Sequence, residues 1–145
     1  MKPVSELLKK YPQREVYSVS PDASVYDAIV LLAEKGVGAV MVMDAGRLIG
    51  IFSERDYTRK IAIQGRNSRE TKVREVMTTP VLYVTLAHRT KQCMALMSEK
   101  NIRHLPVLDR PDGKPVGMVS IRDLMNDIIE DHEFTITQLE SYINQ

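Results

Sequence analysis

Gly50-Ile51-Phe52-Ser53-Glu54-Arg55-Asp56 returns 67 residues later as Gly117-Met118-Val119-Ser120-Ile121-Arg122-Asp123. A lone Ser-x-Arg-Asp tetrapeptide is a weak signal. The same tetrapeptide closing the same Gly-apolar-apolar strand twice marks an internal duplication.

A strand pair leads into each copy. Ala39–Met43 and Leu48–Phe52 flank a turn at Asp44-Ala45-Gly46-Arg47, and Leu105–Leu108 and Val116–Val119 flank a turn two residues longer, Asp109–Lys114. Hairpins absorb insertions at such turns. These strands are nearly continuous in apolar residues, as expected where both sheet faces are covered. Before each hairpin the apolar spacing becomes helical: Val25, Ala28, Ile29 and Leu32 in the first half, Thr90, Cys93, Met94 and Met97 in the second. Ser24 and Asp27 suit the N-terminus of the first helix. Gly36 and Asn101 suit the left-handed C-caps. Further upstream, Val16–Val19 and Val81–Val84 are strand candidates, preceded by short amphipathic helices around Val4–Tyr11 and Val73–Met77. Asp56 and Asp123 open a final helix in each half, Tyr57–Ile63 and Leu124–Ile129. Gln64–Glu70 is a polar linker. Ile136, Leu139, Tyr142 and Ile143 predict a separate amphipathic helix at the end, without a counterpart in the first half.

The composition bounds the function. The 145 residues are 43% apolar and 27% charged, enough for a real core under an ordinary surface. A net charge of +1 does not suit a general nucleic-acid binder. No apolar run approaches the about 18 residues of a membrane span, and Met1–Glu6 lacks the apolar core of a secretory signal. One cysteine, Cys93, excludes an internal disulfide, and His88, His104 and His132 show no zinc-ligand spacing. A reducing, cytoplasmic setting is the simplest expectation.

Each half thus has the order helix–strand–helix–strand–strand–helix and ends in Ser-x-Arg-Asp. That order, the doubled Gly-apolar-apolar-Ser-x-x-Asp and the run Arg103-His104-Leu105-Pro106-Val107 resemble the CBS domain, and the tandem resembles a CBS pair, or Bateman module, of the small stand-alone bacterial type. The resemblance implies an α/β (α+β) fold of two pseudo-symmetric repeats, residues 3–66 and 67–131. Each is a small three-stranded sheet packed with helices, and residues 132–145 add a C-terminal helix. It also implies clefts between the halves that bind an adenine nucleotide (AMP, ADP, ATP or NAD, with S-adenosylmethionine a poorer candidate), and a homodimer.

In that frame, Asp56 and Asp123 could accept hydrogen bonds from both ribose hydroxyls, much as an acidic residue does in dinucleotide folds. The helix N-termini beside them suit phosphate. Arg55 and Arg122 add forks of donors, and Ser53 and Ser120 can bond sugar-phosphate oxygens. Val37, Gly38 and Ala39 would admit an adenine ring. The backbone at Tyr17-Ser18 and Leu82-Tyr83 could bond its edge. The resemblance assigns Arg103 and His104 to phosphate in the Asp123 cleft, predicted to be the stronger of the two, with Arg59 or Lys60 able to compensate in the other. The bland alternative is that Ser-x-x-Asp only caps a helix. The function expected is a non-catalytic regulatory sensor with a downstream protein partner. The rivals are a ligand-free dimerisation adaptor and a nucleotide-processing enzyme, for which no nucleophile–base pair or metal cluster stands out.

Overall fold

The computed structural model describes residues 2–143. Its elements follow the expected order twice: α1 (Val4–Leu8), β1 (Ser18–Val19), α2 (Val25–Lys35), β2 (Ala39–Asp44), β3 (Arg47–Ser53) and α3 (Glu54–Tyr57), which runs into a π-helical turn, Thr58–Ala62. The second half has a 3₁₀ turn (Val73–Glu75), β4 (Val84–Thr85), α4 (Thr90–Lys100), β5 (His104–Leu108), β6 (Pro115–Ser120) and α5 (Ile121–Ile143). Two three-stranded sheets result, β1-β2-β3 and β4-β5-β6, each with one parallel and one antiparallel pairing.

Local chemistry accounts for the boundaries. Ser24 Oγ accepts from the Asp27 amide at 3.0 Å and opens α2. Gly36 and Asn101, at φ 64° and 53°, close α2 and α4 in the left-handed conformation. Ala45 and Gly46 both have positive φ, as the tight two-residue hairpin requires. The register shifts at Val42/Met43 in one sheet and at the matching Val107/Leu108 in the other.

Strand β4 begins at Val84, later than the apolar run suggests. In the first half the Met41 amide donates to the Tyr17 carbonyl at 3.1 Å. Its counterpart in the second half is Pro106, which has no N–H to give, so the Leu82 carbonyl receives no such bond.

The cores do not respect the repeats. Val4 and Leu7 of α1 are buried with Val84, Cys93, Leu105, Val107, Val119 and Leu124, the core of the second half. Val73 and Val76 are buried with Val25, Leu32, Val40, Val42 and Phe52, the core of the first. Each repeat therefore gives its leading segment to the other. The glycine of the repeated motif makes room for it. A methyl group at Gly50 would lie 2.7 Å from Met77 Sδ and 3.1 Å from the Thr78 carbonyl oxygen; one at Gly117 would lie 2.9 Å from Leu8 Cδ1. Both glycines are needed for close approach.

Two further expectations change. The segments ahead of the strands are shorter than an amphipathic helix: five residues in α1 and a three-residue 3₁₀ turn. Residues 132–143 are not a separate helix but continue α5 without a break; residues 144–145 lie outside the described residues. No helix among the described residues is long and apolar enough to cross a membrane.

An ionic cluster fixes the exchanged arm. Asp127, buried on α5, receives Lys10 and Lys2, the latter at 2.6 Å. Burial alone would raise the Asp127 carboxyl, but hydrogen bonds from Lys10 and Lys2 outweigh it and hold the group below its usual value. A carboxyl depressed in the folded state contributes stability above its unfolded pKa of about 3.9. That stability is lost as pH falls through the folded value. Asp127→Asn should therefore cost about 1.5–3 kcal/mol at pH 7 and lose less between pH 4 and strong acid than the parent. Urea midpoints across that range provide the check, and equal acid slopes would contradict it.

Candidate functional site

Ser53 ends β3, and its Oγ accepts from the Asp56 amide at 3.2 Å. In return, the Asp56 Oδ2 accepts from the Ser53 amide at 2.9 Å and the Ser53 hydroxyl at 3.1 Å. Ser120 and Asp123 repeat the exchange at 3.2 Å and 3.0 Å. Both motifs are therefore capping boxes. Yet at Asp56 the cap uses only Oδ2, so its Oδ1 is left for other partners.

Those partners differ between the halves. Asp56 Oδ1 accepts from the Thr78 hydroxyl at 3.1 Å and pairs with Lys60 Nζ at 3.0 Å. Around them opens a cavity of about 380 Å³ between the halves, within the usual range for small-molecule sites. Arg55, Arg59, Lys60 and Arg103 line it as cations, against Glu54 and Asp56 as carboxylates. Ile51, Pro80, Leu82 and Ile102 give it an apolar wall. Lys60 lies on the π-helical turn and also donates to the Val76 carbonyl at 2.8 Å. Arg55 reaches across to the Asn101 carbonyl that closes α4, at 3.1 Å.

His104 stands in the cavity wall with its ring against Gly38, where a methyl group would lie 3.1 Å from both Cε1 and Nε2. Burial lowers its pKa, despite the opposing pull of Asp123 and Glu54, so the ring is neutral at pH 7.

Asp123 is engaged differently. Arg14 Nη1 donates to its Oδ2 at 2.8 Å and Nη2 to its Oδ1 at 3.2 Å. The guanidinium lies 3.8 Å from the centre of the Tyr11 ring.

The structure gathers Gly38, Ser53, Arg55, Asp56, Leu82, Arg103 and His104 of the predicted residues into one cavity. Ser120, Arg122 and Asp123 stand together at the start of α5, with Arg122 exposed. Tyr17 and Val37 pack on the first core, Ala39 is buried, and Ser18 is exposed in β1. The Tyr83 hydroxyl accepts from the Asp112 amide in the β5–β6 turn at 3.2 Å. Arg103 and His104, expected beside Asp123, line the Asp56 cavity, with His104 also in electrostatic reach of Asp123. The side chain of a strand's first residue points according to how the halves dock, which repeat arithmetic does not encode. Sequence reasoning missed Thr78 and Arg14. Lys60, four residues from Asp56 on a helix, carried a readable ion-pair signal.

Known proteins share this architecture. The CBS domain family model matches residues 4–63 and 73–130. A mitochondrial CBS domain-containing protein of Arabidopsis thaliana is 40% identical over 127 residues, 84% of this chain and 61% of that protein. The chain thus spans less than two thirds of that relative's length. A CBS-domain protein from Burkholderia ambifaria MC40-6 superposes with a TM-score of 0.84 at 48% identity, over 90% of this chain and 96% of that one. A CBS domain protein from Pyrobaculum aerophilum complexed with AMP superposes with a TM-score of 0.73 at 26% identity, over 84% and 89% of the two chains. With two matching sheets and two Ser-x-Arg-Asp strand-to-helix turns, the chain belongs to the CBS domain family and carries two CBS domains.

Proposed function

We propose that the protein is a non-catalytic sensor that binds an adenine nucleotide in the Asp56 cavity. The observation that carries the proposal is the joining, across both halves, of one buried carboxylate, four cationic side chains and an apolar wall. Asp56 would take the ribose hydroxyls, with Thr78 and Lys60 yielding to them. Arg59, Lys60 and Arg103 would face phosphate. The adenine would lie against Leu82, whose carbonyl, left without a strand partner by Pro106, can accept from the exocyclic amine. The AMP complex of the Pyrobaculum relative supports the ligand class. The surplus of cations favours AMP, ADP, ATP or NAD over S-adenosylmethionine, whose sulfonium is itself cationic.

Cys93, with its thiol pushed up to about 11 by burial, serves the core and not chemistry. Such a thiol suits a reducing cytoplasm. Binding would be transmitted by a change in the angle between halves, to the extent that the ligand prefers one arrangement, and a protein partner would respond to it. Calorimetry should show at least one of these nucleotides binding better than about millimolar, roughly −4 kcal/mol. No heat with any of them would end the proposal.

Ile136, Leu139, Tyr142 and Ile143 are each more than half exposed along one side of α5, a face a second copy would cover. The working form would then be a homodimer. Truncation after Asp131 should weaken dimerisation in sedimentation, and a full-length monomer at tens of micromolar would contradict the assembly.

A further inference from the structure

We infer that α5 carries a docking seam for a second copy of this chain, and that the two copies join through a parallel pair of α5 helices. The inference rests on the proposed homodimer and names the contact that makes it.

Met125, Ile129, His132, Ile136, Leu139 and Ile143 follow one another along α5 at alternating steps of four and three residues. That is the heptad spacing of a coiled-coil seam. From Met125 to Ile143 it runs about 27 Å along the helix. Its apolar members are each more than half exposed, and His132 is exposed as well. The buried residues of the same helix, Asp123, Leu124 and Asp127, lie on its opposite side. Lys2, Lys10 and Arg14 of the N-terminal arm engage that side too, at Asp123, Asp127, Glu130 and Asp131. The rest of the chain therefore holds one face of α5 and leaves the seam clear.

The sequence of the seam selects its occupant. Between Met125 and Ile143 stand five carboxylates and neither lysine nor arginine. Such a face does not suit an anionic membrane surface, which calls for cations beside the apolar stripe. Isoleucine takes one set of alternate seam positions, at 129, 136 and 143, while Met125 and Leu139 stand in the other set. β-branched residues alternating with leucine-like ones favour two parallel strands. The flanks agree. Asn126, Glu133 and Glu140 border the seam on one side, and Ile128, Thr135 and Tyr142 on the other. Parallel helices set each flank against the opposite flank of the second copy, so carboxylates meet neutral residues. Antiparallel helices would set the two acidic flanks against each other. His132 is the polar member of the seam, and one polar residue there fixes register at a cost in stability.

In a parallel pair each seam residue meets its own copy. Leu139→Cys in the full chain should therefore give a disulfide-linked dimer with oxidised glutathione as the oxidant. Ser141→Cys, on the far side of the helix, should not. The native Cys93 is buried and does not compete. In sedimentation, Ile136→Asp should raise the dimer dissociation constant at least about tenfold, because each copy then buries a charge. His132→Leu should lower it at least about fivefold. These residues lie on the exposed part of α5, so the variants keep both cores intact. Equal linkage by Leu139→Cys and Ser141→Cys overturns the seam. A dimer that Ile136→Asp and His132→Leu both leave unchanged also overturns it, while the homodimer stands on another surface. Linkage in a mixture of Ile129→Cys and Leu139→Cys, with none in Leu139→Cys alone, overturns the parallel pairing. A parent that is monomeric at tens of micromolar overturns the seam and the homodimer together.

Discussion

Leu7→Ala should destabilise the protein by about 2–5 kcal/mol, although residue 7 lies at the start of the first repeat. Leu7 has no exposed surface and sits among Val84, Cys93, Met97, Leu105, Val107, Val119 and Leu124. Truncating it leaves a cavity in the core of the second half, because the strands and helices packed around it relax only partially. The urea midpoint should fall with little change in slope. A loss under about 1 kcal/mol would mean that α1 is not held in that core. A half-specific probe sharpens the result: amides of β5 and β6 should lose hydrogen-exchange protection no later than those of β2 and β3.

Asp56→Asn should weaken nucleotide binding by about 10- to 100-fold, the equivalent of one or two charge-assisted hydrogen bonds. Asparagine keeps an oxygen to accept from the Ser53 amide, so the cap largely survives while the charge facing Thr78 and Lys60 is lost. That separates capping from binding, which an alanine would confuse. Asp123→Ala, by contrast, should leave the tighter event in place. This ordering reverses the one the repeat suggests. Arg103 and His104 line the cavity of Asp56, and Asp123 is already engaged by Arg14. Should Asp123→Ala abolish the tighter event while Asp56→Asn preserves it, the assignment of the cavity is wrong.

Much of this fold was legible because it is written in short-range signals. The helical spacing of Val25, Ala28 and Leu32, the left-handed stops at Gly36 and Asn101, and the Ala45-Gly46 turn all act within a few residues. The tail was read as a separate helix, yet residues 124–143 contain neither glycine nor proline to interrupt α5. What sequence could not reveal is long-range. Arg14 and Asp123 are 109 positions apart, and no local pattern links a lone arginine in an irregular segment to a helix N-terminus in the other half. Thr78 reaches Asp56 across 22 positions by the same exchange of leading segments. Of the seven predicted ligand residues that meet in one cavity, the doubled motif located Ser53, Arg55 and Asp56, and the family resemblance pointed to the other four. The side of the module on which they meet depends on how two sheets dock, and the repeat is blind to that.

The exchange of leading segments also bears on what counts as the smallest stable piece. A single repeat alone would have an apolar arm with nowhere to lie and a core lacking one wall. Two such pieces could complete each other only by trading arms, as in a domain-swapped dimer. Residues 64–70 turn that trade into an event within one chain, where effective concentration is set by the length of the tether and not by abundance. Melting of the two halves should therefore be one cooperative event, whatever the dilution.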